Sequence, residues 1–402
     1  METLEIEEQE PNAGRYYTMS RKKILIVFGT RPEAIKMAPL VKAFQKDAEL
    51  FDTKVCVTAQ HREMLDQVLA FFEITPDYDL DIMKAGQDLY DVTTSVLLGL
   101  RAVLSRLKPE LVFVHGDTST SFSAALAAFY QRIPVAHIEA GLRTGNIYSP
   151  WPEEANRQLT TQITTYHFAP TPISKNNLLK ENVNEKSICV TGNTVADALF
   201  SVLNKIQDNA ALEQEIIATI DRTINSSQFK IQNSKFILVT AHRRENQGEG
   251  FVNICTALKM IAQNNPDIHI VYAVHLNPNV QQPVKAMLSD VEKIHLIEPV
   301  RYEAFIYLMY SAFFIITDSG GVQEEAPSLG KPVLLMRDRT ERPEALEEGM
   351  VKLVGADAGL IVKEAQELID NQEAFARMSK AGNPYGDGIA CQKIVKFVKE
   401  NC

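Results

Sequence analysis

Short apolar runs alternate with amphipathic stretches along the first half of the chain. The apolar runs predict strands at 24–28, 54–59, 111–116, 134–140, 166–170 and 188–192. Between them, apolar residues recur at the spacing of a helix face over 34–44, 62–72, 91–107, 121–130 and 154–163. Continuous apolar strands that alternate with helices indicate a parallel sheet covered on both faces. This half therefore predicts a doubly wound α/β unit.

The same alternation restarts after a polar stretch, 207–234, whose many Asn, Gln and Ser residues predict irregular structure. Strands are then predicted at 236–241, 270–275, 294–299, 313–318, 332–336 and 351–355, and helices at 251–264, 280–289, 302–311 and from 321. We therefore predict two doubly wound, Rossmann-like domains, 21–195 and 196–380, with a cleft between them. A final helix within 381–402 could belong to either domain, and one prediction is that it packs back on the first.

Composition narrows the possible function classes. The 402 residues carry 41 Lys and Arg against 51 Asp and Glu, a formal net charge of −10, which argues against nucleic acid as the main partner. Because no apolar run approaches the ~18 residues of a membrane span, a transmembrane protein is excluded. The five cysteines are scattered without a CxxC pair, which fits a reducing compartment and predicts a cytoplasmic location. Residues 1–20, acidic and without signal-peptide features, are predicted to be a disordered extension.

A glycine turn after the first strand is the first candidate for phosphate binding. The turn, 29-GTRP-32, opens a helix whose first turns hold Arg31 and Lys36. Free N–H groups at a helix start, with cations nearby, suit a phosphate. A tight βα turn with solvated basic side chains explains the same residues equally well. Neither a P-loop nor a GxGxxG dinucleotide fingerprint follows any strand, so no nucleotide cofactor is predicted.

The second unit has a stronger version of this turn after strand 313–318. A serine and two glycines at the helix start would bring a hydroxyl and backbone amides close to a phosphate: Ser319, Gly320 and Gly321. Glu324 and Glu325 follow in the same helix, where their charge favours the helix dipole. The alternative, which we favour, is that one of the two carboxylates chelates a ribose diol. Arg342 follows the next strand and could hold phosphate in a bidentate way.

Carboxylates follow the strands of the first unit. Asp117 comes after strand 111–116, Glu139 ends the next strand, and Glu153 lies shortly beyond it. Asp117 could instead cap a helix, and His137, inside a strand, is expected to be a core residue. Neighbouring carboxylates in a dry cleft can have widely separated pKa values, which would provide an acid and a base.

A histidine and several cations follow strands of the second unit. His242 and Arg243 belong to 242-HRRE-245, and His275 follows the next strand. This arrangement offers a titratable imidazole beside positive charge, although surface charge also explains Arg243. A metal site is not predicted, because HExxH is absent and no cysteine lies nearby in the sequence. Trp151, between two prolines, is expected to pack its loop rather than bind a ligand.

Eight segments carry a resemblance to a known family. They are 29-GTRPEAIKMAPL-40, 58-TAQHREMLDQVL-69, 114-VHGDT-118, 137-HIEAGLRTG-145, 150-PWPEEANR-157, 242-HRREN-246, 275-HLNPNV-280 and 317-TDSGGVQEEAPSLGKPVLLMRDRTERPEA-345. Together they resemble the non-hydrolysing bacterial UDP-N-acetylglucosamine (UDP-GlcNAc) 2-epimerases, from about residue 22 to 393. Residues 1–20 and 207–234 lie outside the resemblance.

The resemblance implies a fold, an assembly and a reaction. It implies the GT-B fold of nucleotide-sugar glycosyltransferases, usually as a homodimer. It also implies reversible conversion of UDP-GlcNAc to UDP-N-acetylmannosamine (UDP-ManNAc) without metal or nicotinamide, by elimination of UDP to a 2-acetamidoglucal and re-addition. The product would supply ManNAc units for cell-surface polysaccharide, and UDP-GlcNAc would also be an allosteric activator.

The family's functional residues carry over onto matching positions. Those that resemble its UDP-binding and substrate-binding residues are Arg31, Lys36, Val300, Phe305, Ser319, Gly320, Gly321, Glu325 and Arg342. Those that resemble its catalytic residues are Asp117, Glu139, Glu153 and His242. Those that resemble its activator-binding residues are Gln60, Glu153, Arg243 and His275. In this assignment Glu325 would hold the ribose hydroxyls, and Phe305 with the backbone near Val300 would hold the uracil.

Three rival functions remain open at this point. A glycosyltransferase of the same fold would need an acceptor site, and no motif marks one. A hydrolysing epimerase would release free ManNAc, which product analysis distinguishes. A non-catalytic sensor of sugar nucleotides should have lost a carboxylate or His242, yet all of these residues are present.

Overall fold

The computed structural model describes residues 21–59, 62–84, 86–340 and 342–402, which contain two parallel sheets. The strands of the first sheet, β1 to β7, are Lys22–Phe28, Phe51–Val57, Tyr78–Asp79, Leu111–His115, Val135–Ile138, Tyr166–Ala169 and Ile188–Val190. Helices α1 to α7 are Arg31–Lys46, Arg62–Phe71, Leu89–Leu107, Ser119–Tyr130, Glu153–Gln162, Pro172–Lys180 and Thr194–Gln207. The strand order is β3-β2-β1-β4-β5-β6-β7, and the pairings are parallel.

The second sheet repeats this topology after helix α8, Ala210–Ile224. Strands β8 to β13 are Phe236–Thr240, His269–Ala273, Ile294–Ile297, Ile315–Thr317, Val333–Leu335 and Val351–Leu353. Helices α9 to α16 are Glu249–Asn264, Pro278–Leu288, Tyr302–Ser311, Gly320–Ser328, Glu344–Glu347, Ala358–Asp370, Gln372–Ser379 and Ala390–Asn401. The order β10-β9-β8-β11-β12-β13 is again that of a doubly wound Rossmann unit, so the predicted α/β class with two such units is confirmed.

The central strands are buried because their sequences are continuously apolar. Residues 24–28 of β1, ILIVF, are fully inaccessible, and 236–239 of β8 are equally buried. Helices cover both faces of each sheet, so both sides of these strands lie against apolar side chains. None of the described helices has both the length and the apolar character that crossing a membrane requires.

The prediction of irregular structure over 207–234 is wrong, because α8 occupies most of it. Asn209 caps this helix, and its side chain accepts the N–H of Leu212 at 3.1 Å. A single stripe at four-residue spacing is buried: Ile216, Ile220 and Ile224. The polar residues occupy the remaining faces, where Glu and Gln are good helix formers. Helices α6, α7, α13, α14 and α15 and the two-residue strand β3 were also not predicted.

Helix α7 joins the two units. It packs on α1 of the first unit and on α11 and α12 of the second. The predicted domain limit between residues 195 and 196 lies inside this helix, and the domain limits stay a prediction. The last helix, α16, lies on the first unit, where the Phe397 ring is 5.7 Å from that of Tyr166 and 5.4 Å from that of Phe168.

The strand order reverses between β1 and β4 in the first sheet and between β8 and β11 in the second. Ligands of open α/β sheets bind beyond the carboxyl ends of the strands at such a reversal. The segments that leave β1, β4, β5, β8 and β11 contain most of the predicted site residues. The topology therefore brings polar segments of both units toward one region.

Candidate active site

A cleft of about 480 Å³ lies between the two units. One wall comes from α1 and α7, and the other from segments after β8, β9 and β10 and from α11 and α12. Many of the predicted site residues line it: Arg31, Lys36, His242, His275, Val300, Phe305, Ser319, Gly321 and Glu325. The other predicted site residues that the structure describes do not line this cleft themselves. Glu139 is hydrogen-bonded to Lys36; Arg342 and Arg243 approach Gly320, and Asp117 and Glu153 interact through their charges.

Lys36 connects the two units beside the cleft. Its Nζ donates to Glu139 Oε2 at 2.5 Å and to Glu324 Oε2 at 2.9 Å. Burial by itself would lower the pKa of Lys36, but the two carboxylates outweigh it and raise that pKa above its ordinary value. Lys36 is therefore an ammonium that links a carboxylate of the first unit to one of the second.

Glu139 is a buried carboxylate whose backbone has the left-handed conformation, with φ 63°. This conformation is uncommon for a residue with a side chain. Asn193 Nδ2 donates to Glu139 Oε2 at 3.0 Å, and His115 Nε2 lies 3.7 Å from the same oxygen. Burial raises the pKa of Glu139, but Lys36 and His115 outweigh it and hold that pKa well below its usual range. The carboxylate is therefore ionised.

Asp117 is held by a buried arginine. Arg157 donates from Nη2 to Asp117 Oδ2 and from Nη1 to Glu154 Oε2, the second bond at 3.1 Å. Burial raises the pKa of Asp117 above its ordinary value, and Arg157 offsets this only in part. The charges of Glu139 and, less strongly, of Glu153 at the start of α5 raise that pKa further. Asp117 and Glu139 thus have opposite pKa shifts within one site.

Asp318, which is fully buried directly after β11, organises the segment after β8. Its carboxylate accepts the N–H of His242 at 2.9 Å, the N–H of Arg243 at 2.9 Å and Nδ2 of Asn246 at 3.0 Å. His242 Nδ1 lies 3.3 Å from Asp318 Oδ1, and the imidazole stacks on His275 with 5.5 Å between centroids. Burial lowers the pKa of His242 despite the opposing charge of Asp318, so the ring favours its neutral form.

The start of α12 is open toward an anion. Within the described part of the chain, the Ser319 hydroxyl makes no capping bond to the helix. A Cβ atom at Gly320 would lie 3.0 Å from Arg342 Nη1 and 3.4 Å from Arg243 Nη2. Glycine therefore allows two guanidinium groups to approach the helix start, where backbone N–H groups and cations favour phosphate.

The start of α1 differs, because a carboxylate already binds its amides. Glu33 accepts the N–H of Gly29 at 3.0 Å and that of Thr30 at 2.8 Å. The expectation of free N–H groups in this turn is therefore wrong for these two residues. A similar correction applies after β4, where Thr118 and not Asp117 caps α4.

Glu325 lines the cleft, and Tyr302 is its hydrogen-bond partner. The Tyr302 hydroxyl donates to Glu325 Oε1 at 3.0 Å. Burial raises the pKa of Glu325 to about 7, the Tyr302 hydrogen bond opposes this shift, and the charge of Glu324 adds to it. Phe305 and Val300 also line the cleft and give it apolar surface.

Some outcomes differ from the sequence-based expectations. Gln60 lies outside the described residues. Trp151 is 62% exposed, so the expectation that it packs its loop is wrong. Sequence reasoning gave no site role to Asp318, Asn193 or Tyr302, although Asp318 directly follows a strand and could have been noticed on that ground.

The known proteins to which the chain is similar are all UDP-N-acetylglucosamine 2-epimerases in the comparisons described next. A family model described as UDP-N-acetylglucosamine 2-epimerase matches residues 42–399. A UDP-N-acetylglucosamine 2-epimerase of Campylobacter jejuni is 59% identical over 94% of this chain and 97% of its own length. A crystal structure of UDP-GlcNAc 2-epimerase from Neisseria meningitidis bound to UDP-GlcNAc has a TM-score of 0.85 and 53% identity, covering 94% of this chain and 100% of that one. The Methanocaldococcus jannaschii UDP-GlcNAc 2-epimerase in complex with UDP-GlcNAc and UDP has a TM-score of 0.77 and 34% identity, with coverages of 94% and 100%.

Proposed function

Because the chain belongs to the UDP-N-acetylglucosamine 2-epimerase family, we propose that it interconverts UDP-GlcNAc and UDP-ManNAc by eliminating UDP and adding it back. The observation that carries this proposal is the ion network at Lys36. Through Lys36, the ionised carboxylate of Glu139 is fixed beside a cleft whose other wall carries cations and a glycine-rich helix start.

The chemistry of the sugar explains why such a site is needed. The proton at C2 is not adjacent to a carbonyl, so its direct removal would be very difficult. Elimination of UDP together with this proton gives a 2-acetamidoglucal. Addition of UDP, with a proton delivered to the opposite face, then inverts C2. Two acid–base groups and a firm hold on the departing diphosphate are required.

The nucleotide would bind to the second unit. Glu325 would accept hydrogen bonds from the ribose hydroxyls, and Phe305 with the backbone near Val300 would contact the uracil. The diphosphate would lie at the start of α12, against Ser319, Gly320 and Gly321. Arg342 and Arg31 would supply positive charge there. The approach of Arg342 to Gly320 supports this placement.

The acid–base work would fall to Asp117, Glu139, Glu153 and His242. Opposite pKa shifts within one site are the usual way to obtain an acid and a base from two carboxylates. Glu139 is ionised and has no proton to donate, so it is assigned the base, and Asp117, with its raised pKa, is assigned the acid. The two roles are exchanged when UDP-ManNAc is converted back to UDP-GlcNAc. His242, which favours its neutral form, would serve the departing diphosphate as a donor.

We also propose that a second molecule of UDP-GlcNAc activates the enzyme. Gln60, Glu153, Arg243 and His275 would bind it. Support comes from His275, which is exposed at the cleft and stacks on His242, so that a ligand on His275 would contact the catalytic set.

The proposed homodimer, location and pathway have separate supports. Helices α3 and α4, which contact each other, carry exposed apolar side chains that a second copy would cover: Tyr90, Leu98, Phe129 and Tyr130. Light scattering should therefore give the mass of a dimer for the wild type and a lower mass for Leu98→Asp.

All five cysteines are free thiols, which supports a cytoplasmic location. The product, UDP-ManNAc, would supply ManNAc units for cell-surface polysaccharide.

Product analysis in heavy water tests the reaction. The protein is incubated with UDP-GlcNAc, and the expected product is UDP-ManNAc with deuterium at C2. Free ManNAc would instead indicate a hydrolysing epimerase, and inertness without an added acceptor would favour a glycosyltransferase. Full retention of the C2 hydrogen in UDP-ManNAc would overturn the elimination mechanism.

A further inference from the structure

We propose that Glu324 is a positioning residue that fixes Lys36 and Arg342 across the cleft and thereby couples the diphosphate site to the acid–base carboxylate Glu139. The proposal rests on the function proposed above. It gives separate roles to two adjacent carboxylates of α12, because Glu325 is assigned to the ribose and Glu324 to protein cations.

The geometry of Glu324 supports this division. Its two carboxylate oxygens have different partners, since Oε2 accepts from Lys36 Nζ at 2.9 Å and Oε1 accepts from Arg342 Nε at 2.6 Å. Glu324 is only 1% exposed. Its carboxylate therefore faces protein groups, whereas Glu325 lines the cleft.

The bond to Arg342 orients that side chain. Because Glu324 engages Nε, the Nη1 end of the guanidinium is directed over Gly320, at the start of α12. A diphosphate at this helix start would then meet an arginine whose orientation is already fixed. Such pre-organisation lowers the cost of placing charge in the transition state.

The bond to Lys36 orients the other half of the site. Lys36 belongs to the first unit and Glu324 to the second, so this bond also holds the two units together at the cleft. Lys36 in turn donates to Glu139, so an unbroken chain of ion pairs runs from Arg342 through Glu324 and Lys36 to Glu139. Movement of Arg342 as the diphosphate departs would be transmitted to Glu139 along this chain.

The helix dipole alone does not explain Glu324. A carboxylate near a helix start is stabilised wherever its side chain points. Glu324 instead bridges two cations from distant parts of the sequence, and it is buried, so losing one partner would leave charge without compensation.

The test compares E324Q with two other glutamine variants in the full-length protein. E324Q keeps the shape but removes the charge, so kcat should fall roughly 10- to 100-fold, the size of loss expected when reacting groups are misplaced. UDP affinity, measured by calorimetry, should change much less than in E325Q. Glu364→Gln is the matched control, because Glu364 is also buried and bonded to a lysine, Lys352, away from the cleft. Its kcat should equal that of the wild type.

The pH dependence of kcat distinguishes a positioning role of Glu324 from a role in stability alone. The charged and titratable groups that interact with Lys36 are Glu139, Glu324, Arg342 and, at the cleft, Glu325. Losing one of the two carboxylates should lower the pKa of Lys36, so kcat of E324Q should fall at an alkaline pH where the wild type keeps its activity. In addition, the loss of kcat in E139Q/E324Q should be smaller than the product of the two single losses, because Glu324 acts in part by positioning Glu139 through Lys36.

The outcomes distinguish the two proposals. If the wild type fails to epimerise UDP-GlcNAc, the proposed function is overturned. If the wild type is active and E324Q keeps its kcat and pH profile, only the role of Glu324 is overturned. Should E324Q fail to fold by circular dichroism, E324D decides: its shorter side chain cannot make both bonds, so an unchanged kcat in E324D also overturns the role.

Discussion

The Tyr302 hydroxyl donates a hydrogen bond to Glu325 Oε1 across 3.0 Å, and both side chains are buried at the cleft. The bond stabilises the ionised carboxylate, whereas burial destabilises it. The effect of burial is the larger one, so the pKa of Glu325 is raised to about 7. The residue assigned to the ribose is therefore only partly ionised near neutral pH. Both the stability of the unliganded protein and its affinity for nucleotide should depend on this balance.

Glu325→Gln should stabilise the unliganded protein while weakening UDP binding. The folded-state pKa of Glu325 lies above its ordinary value of 4.5, so folding is opposed once the carboxylate must ionise. This penalty is absent below pH 4.5, grows between pH 4.5 and 7, and amounts to about 3 kcal/mol at pH 8. The unfolding midpoint of E325Q at pH 8 should therefore be higher than that of the wild type.

UDP affinity should move in the opposite direction in the same variant. Losing the ribose contact should cost roughly 1.5–3 kcal/mol of binding free energy in calorimetry. The exposed residue Glu347 gives the control Glu347→Gln, which should alter neither quantity. A variant that loses stability and keeps its affinity would contradict the assignment of Glu325.

Tyr302→Phe should shift the pH dependence of UDP binding. The hydrogen bond from Tyr302 lowers the pKa of Glu325, so its removal should raise that pKa further above 7. Wild-type affinity should increase as pH rises through about 7, and the variant should need a higher pH to reach the same affinity. Tyr307→Phe is the control, because Tyr307 lies in the same helix but bonds Glu213. Equal pH midpoints in Y302F and the wild type would refute this account.

The sequence is a good guide to the site wherever a side chain follows a strand. Parallel strands bring their carboxyl ends to one edge, so Asp117, Glu139 and His242 could be selected without coordinates. Partners within a network are harder to predict. Nothing in the spacing of 324 and 325 reveals that one carboxylate bonds to Lys36 and the other to Tyr302. The first bond depends on how the two units meet, and the second depends on how α11 and α12 lie within the second unit.

The errors in predicting the fold also have physical reasons. Polar composition over 207–234 concealed α8, because a helix that buries only one stripe of isoleucines needs few apolar residues. Free amides were expected at Gly29 and Thr30, but Glu33 binds them from within the same helix. This pattern, a threonine followed three residues later by a glutamate, is a capping box that the sequence does contain.

Asp318→Asn should reduce both stability and turnover. Asp318 accepts hydrogen bonds from two backbone N–H groups and from Asn246, and an amide NH₂ cannot replace the lost acceptor. Unfolding free energy should fall by roughly 2–4 kcal/mol, and kcat should fall because the segment carrying His242 loses its anchor. Asp338→Asn is a suitable control, because Asp338 is exposed. Wild-type kcat in a folded D318N would show that His242 does not depend on this anchor.

Activation by UDP-GlcNAc should be visible in kinetics that start from the other substrate. UDP-ManNAc alone should react slowly and with a lag, and a trace of UDP-GlcNAc should abolish the lag, because a bound effector favours the active cleft. His275→Ala should weaken this response more than Asn279→Ala, since His275 stacks on His242 and Asn279 is an exposed residue of α10. If the wild type converted UDP-ManNAc without a lag, and its rate depended hyperbolically on UDP-ManNAc concentration, an effector site would be contradicted.

The three carboxylates of the first unit should prove essential for chemistry and dispensable for binding. Asp117→Asn, Glu139→Gln and Glu153→Gln should each lower kcat by about 10²–10⁴-fold, the usual contribution of a group that transfers a proton. UDP affinity should change far less, because the nucleotide would be held by the second unit. Glu110→Gln is the control: Glu110 accepts the N–H of Lys23 at 3.1 Å, before β4 and at the opposite edge of the sheet from Asp117. Exchange of the C2 proton with heavy water, followed by NMR, should slow in step with kcat in the three variants. If one of them lost turnover but exchanged that proton at the wild-type rate, its carboxylate would act after the proton is removed and not as the base.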